Sequence, residues 1–182
     1  MLKKYCNTNY WSTRDLIVVA LMAALGLAVK PLVKPLTHLI STPLGIPGGT
    51  LGGGLYMMWL SLAVALVPRY GTGTLTGLLQ GLVCLITGWF GSHGAFSLIT
   101  YALPGLVIDL LGQIYRRYKT LDGQIIYCLA ANLTGTWIVG FLLMRLPKLP
   151  LSIAMDMSVL SGAIGGVLSW LIYRQLNKYR LL

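Results

Sequence analysis

The stretch "GWFGSHGAF", residues 88–96, sets Ser92 beside His93 and surrounds the pair with three glycines, Trp89, Phe90 and Phe96. A serine and an imidazole are parts of a nucleophile and its base, but neighbours in sequence rarely face each other, and the remaining parts are missing. The chain has no GxSxG turn, no HExxH helix and no paired acidic residues; glutamate is absent altogether. His38 and His93 are its only imidazoles, and Cys6, Cys84 and Cys128 form no CxxC pair. A metal site is therefore only weakly signalled, and no cofactor is expected. No phosphate-binding loop is present with which the chain would drive transport itself. What these residues offer is binding rather than catalysis: aromatic faces, hydroxyls and imidazoles around a small molecule.

The elements that hold these residues are apolar. Of 182 residues, 56% are hydrophobic and 10% charged, against roughly 25% charged in a soluble domain. Several runs approach the roughly 20 apolar residues that cross a bilayer. The expected fold is an all-α membrane protein, one integral domain over 1–182, built as a bundle of six transmembrane helices. The pattern places them at about 15–34, 50–67, 72–89, 95–115, 124–144 and 153–174. Residues 1–14 read as a cytosolic amphipathic lead-in, with a capping box from Ser12 to Asp15. The stretch 1–28, positive, then apolar, then small, imitates a signal peptide, but the apolar run continues into "VKPLVKPL" without a convincing cleavage site. Residues 35–49, "PLTHLISTPLGIPGG", hold three prolines and are expected as an external loop rather than a continuous helix.

Fourteen Lys and Arg stand against four Asp. They cluster between the apolar runs, as topogenic signals do, and not on a surface suited to nucleic acid. With the N-terminus inside, ten of them (Lys3, Lys4, Arg14, Arg69, Arg116, Arg117, Lys119, Arg174, Lys178, Arg180) fall on the cytosolic side. Four (Lys30, Lys34, Arg145, Lys148) fall outside. The balance favours cytosolic termini in a bacterial inner membrane and turns the loops after helices one, three and five outward.

Those loops and the outer helix ends carry the candidate substrate-binding residues: His38, Trp89, His93, Tyr101, Trp137 and Asp156. Trp89 and Trp137 also suit an interfacial aromatic belt. Asp156 is placed either to meet a cationic ligand group or to pair with Arg145 or Lys148. Asp109, deep in helix four, reads as structural, through Arg69, Arg116 or protonation. Thr100, Asn132 and Thr136 are expected either in helix contacts or pointing into a cavity. Stripes of small residues recur at four-residue spacing: Ala20, Ala24 and Ala28; Gly73, Gly77 and Gly81; Gly162 and Gly166.

The length, the AxxxA pattern of "ALMAALGLA" and the glycine-rich middle "LYMMWLSLAVALVPRYGTGTLTGLLQGLVCLITGWFGSHG" together resemble the substrate-binding S components of energy-coupling factor (ECF) transporters. The middle is similar to the YkoE-like branch, associated with thiamin or its hydroxymethylpyrimidine precursor. The resemblance implies a high-affinity binding subunit of an ABC importer, without enzymatic activity, for a vitamin or cofactor precursor. It implies as partners a transmembrane T component and two ATPases, docked through Ala20, Ala24 and Ala28. Where acidic residues are expected in that branch, this chain reads "GTLTGLLQG" and "ALPGLVIDLL", leaving only Asp109 or Asp156 to meet a thiamin-like cation. A flat tetrapyrrole is the alternative substrate in the same role. A structural or assembly protein without ligand is the alternative of another class.

Overall fold

The computed structural model describes residues 11–43, 45–88 and 94–179, and the described residues hold helices and no strands. Helices α1 (Thr13–Ala28) and α2 (Lys30–Ser41) are separated by Val29 alone. They are followed by α3 (Gly48–Leu66), α4 (Thr72–Thr87), α5 (Ser97–Ile114), α6 (Leu121–Trp137) and α7 (Lys148–Lys178). A short 3₁₀ turn, Gly94–Phe96, leads into α5, and α6 runs on as a π-helical segment over Ile138–Leu143.

Among the described residues five stretches are long and apolar enough to cross a membrane: Thr13–Ser41, Gly48–Leu66, Gly94–Ile114, Leu121–Leu143 and Lys148–Lys178. Helix α4 is apolar but has 16 residues, about 24 Å against a hydrocarbon core of roughly 30 Å. It nonetheless packs antiparallel along α5. A Cβ on Gly73 would stand 2.6 Å from the Gly105 carbonyl, one on Gly77 2.2 Å from the Tyr101 carbonyl, and one on Gly81 3.0 Å from Leu98 Cα. That stripe is thus spent inside the bundle, where small residues let backbones touch. Gly162 and Gly166 do the same against α6, facing Leu129 and Ile125.

Helix α3 is the hub, buried along most of its length and in contact with every other helix. Its opening "GGTLGGG" makes this possible. At Gly54 a Cβ would fall 1.8 Å from the Ser161 carbonyl of α7, so only hydrogen fits there.

Asp109 secures the far end of the α4–α5 pair. Its carboxylate accepts from the backbone N–H of Gly73 (2.9 Å) and Thr74 (2.7 Å) and from the Thr74 hydroxyl (2.6 Å). It thus satisfies the orphan amides of the α4 N-terminus, where the helix dipole also favours an anion. Of the expected partners, Arg69 pairs instead with Asp15 (2.9 Å) and Arg116 Nε donates to the Gln113 carbonyl (3.4 Å). Asp15 also accepts from the Ser12 N–H (3.3 Å), closing the expected turn at the start of α1.

One segment differs from expectation. Residues 35–41, read as loop from their prolines, are the second half of α2. Pro31 lies in its first turn, where a missing N–H leaves nothing unsatisfied. Pro35 lies inside, forgoing one backbone bond, a loss that membrane helices tolerate. At the joint the Leu32 and Val33 amides both reach the Val29 carbonyl (3.2 and 3.1 Å), which keeps the chain helical from α1 into α2.

Candidate functional site

The continuation of α2 decides the geometry of one end of the bundle. Lys30, Lys34 and His38 are four residues apart and therefore share one helix face. That face looks across a cavity of about 580 Å³ toward the first turns of α3, the start of α5 and the end of α6. Helix α3 contributes Gly48, Gly49, Thr50 and Tyr56; α5 contributes Thr100 and Tyr101; α6 contributes Asn132 and Thr136. The π-helical segment closes the wall with Val139 and Leu143. A π turn widens a helix locally and is common beside functional sites.

Glycines make the room. A Cβ on Gly53 would lie 1.8 Å from Asn132 Oδ1, and one on Gly48 would lie 2.9 Å from His38 Nε2. Asn132 is held from the other side, its Nδ2 donating to the Ser158 carbonyl (2.9 Å).

Lys30 dominates the electrostatics. It is 5% exposed, and its Nζ has no hydrogen-bond partner among the described residues. The ammonium lies 3.6 Å from the Tyr101 ring centroid and 5.8 Å from that of Tyr56. Such a cation–π contact is worth about 2 kcal/mol when desolvated, whereas removing an ion from water costs several kcal/mol. The aromatic rings soften the burial without offsetting it. No carboxylate lines the cavity among the described residues.

Of the residues singled out in the sequence, the structure brings His38 and Tyr101 together in this wall, with Thr100, Asn132 and Thr136. Trp137 is 46% exposed and stacks on Phe141 (5.2 Å between centroids), away from the lining. Asp156 is exposed on α7 and makes no ion pair with Arg145 or Lys148 among the described residues. Trp89 and His93 lie outside the described residues. Ala20, Ala24 and Ala28 are all exposed on α1, whose buried face is Val19, Met22, Ala23, Gly26 and Leu27. The alanine face is therefore left free by the bundle. Sequence reasoning missed Lys30, Lys34 and Tyr56 as wall residues. The i, i+4, i+8 spacing of Lys30, Lys34 and His38 carried the signal, hidden by the prolines between them.

A family model described as the permease component of an ABC-type cobalt transport system matches residues 14–137. The chain belongs to this family. The matched part runs from α1 through α6 and takes in the whole cationic face of α2; the π-helical segment and α7 follow it. Membership makes the chain a multi-pass, non-enzymatic membrane component of an ABC-type transporter, whose transport is driven by ATPase partners. No curated protein and no solved structure gave a significant match.

Proposed function

We propose that this chain is the substrate-capture subunit, an S component, of an ECF-type importer, and that the cavity is its substrate site. The cavity itself carries the reading. Its volume of about 580 Å³ lies within the roughly 300–1,000 Å³ of small-molecule sites, and it joins aromatic walls to a few placed polar groups. It sits at the end of the bundle where charge balance puts the outer surface. The antiparallel course of α4 along α5 supports a sixth crossing despite the helix's length, and hence termini on one side, the cytosolic one.

The substrate class that fits is a small organic cofactor precursor of the size of a hydroxymethylpyrimidine. Bare cobalt, the cargo in the family's description, wants imidazole, thiolate or carboxylate donors in a cluster. The cavity offers one imidazole beside two lysines, and no group of three or more such donors occurs among the described residues. The exposed Ala20–Ala24–Ala28 face suits close helix-to-helix docking on a T component.

Native mass spectrometry of protein purified in mild detergent from its own host tests this reading. A retained small molecule, lost on Tyr101→Ala, is expected, together with co-purified T component and ATPases. Replacing Ala20 and Ala24 by Leu should release those partners while the ligand stays bound. A bare protein without partners overturns the proposal.

A further inference from the structure

We infer that the substrate of this cavity is an organic anion, carrying a carboxylate or a phosphate ester, and that Lys30 supplies its counter-charge. The inference rests on the capture reading and narrows it. The whole chain has four carboxylate side chains, Asp15, Asp109, Asp122 and Asp156. Asp15 is paired with Arg69, Asp109 caps α4, and Asp122 takes Arg117 (2.9 Å) and the Tyr115 hydroxyl (2.5 Å). Asp156 is on the exposed side of α7, outside the lining. No aspartate is left for an ammonium that is 5% exposed and has no hydrogen-bond partner among the described residues.

Two further features have the same sign. Lys34 continues the face of α2 along the cavity. The N-terminus of α3 also lines the cavity at Gly48 and Gly49, with no side-chain cap on it among the described residues. An uncapped helix N-terminus attracts anions through free N–H groups and the helix dipole. A cation buried in the wall and a helix N-terminus lining the same carboxylate-free cavity form an anion site, with its neutral walls, Thr100, Thr136 and Asn132, left to read the rest of the molecule. A cation such as thiamin meets repulsion here.

Four probes that share the aminopyrimidine ring separate the cases: 4-amino-5-hydroxymethyl-2-methylpyrimidine, its phosphate ester, the matching 5-carboxylate, and thiamin. Binding is measured by calorimetry on the detergent-purified full chain, wild type and Lys30→Met. The phosphate or the carboxylate should bind at least about tenfold more tightly than the neutral parent, the strength of a charge-assisted bond. Which of the two is favoured names the anionic group. In Lys30→Met the preference should collapse to within about threefold, and because methionine removes a buried charge the variant should fold. Lys34→Met, at the next position of the face, should lose less. Neutral or cationic probes that bind as well as the anions, or a preference that survives Lys30→Met, overturn the anion inference and leave the capture reading standing. No binding by any probe, with a bare protein in native mass spectrometry, overturns the capture reading and this inference with it.

Discussion

Taking the Lys30 ammonium out of water costs several kcal/mol, and its contact with Tyr101 offsets about 2 of these. The remainder, on the order of 1 kcal/mol, is a strain that the ligand-free fold carries for the sake of the site. Lys30→Met keeps the length of the side chain and removes the charge, so the ligand-free variant should be more stable than wild type by about this amount. Thermal unfolding in detergent measures it. A fall in the midpoint would mean that Lys30 has a structural partner, and the site would lose its central cation. Residue by residue, what could be read in the sequence followed polarity: Tyr101, Thr100, Asn132 and Thr136 stood out as polar groups in apolar runs. Lys30 and Lys34 are as conspicuous in the sequence, but there they read as topological charges. A positive charge near a helix end serves orientation or binding, and sequence alone does not say which face of which helix it occupies.

At the scale of elements, the apolar periodicity set the helices to within a few residues, because length and hydrophobicity decide where a chain crosses lipid. The α2 segment was the exception. Pro31, Pro35 and Pro43 look alike in sequence, but the first two sit in one helix and the third beyond its end. What separates them is whether the neighbouring helices hold the backbone in register, a tertiary fact. Pro35 is exposed and interrupts a helix whose polar face is needed. Pro35→Ala should therefore raise stability, by up to about 3 kcal/mol, while leaving Lys30, Lys34 and His38 on one face. Circular dichroism melting reads the first effect and ligand affinity the second. If affinity falls while stability rises, the proline at position 35 is part of the site's shape. If stability falls, the proline ring fills a contact that its exposure does not suggest.

At the scale of the whole molecule, the question is which way the cavity opens. Cysteine labelling answers it, since Cys84 and Cys128 are buried and Cys6 is removable by Cys6→Ser. Single cysteines at Thr42 and Lys148 report on the cavity end, and at Tyr70 and Lys119 on the other; all four positions are exposed. With six crossings and both termini in the cytosol, an impermeant maleimide added to intact cells should label Thr42→Cys and Lys148→Cys, and reach the other two only after lysis. If α4 failed to cross, every later segment would be inverted, and Thr42→Cys and Lys119→Cys would label together. The packing opposes that outcome: Gly73 lies beside Gly105 and Gly81 beside Leu98, so α4 returns the chain to the end where Thr100 and Tyr101 line the cavity. Labelling of Tyr70→Cys and Lys119→Cys alone would open the cavity to the cytosol. A capture subunit cannot work from there, and the importer reading would have to give way to one in which the cavity receives its ligand from inside.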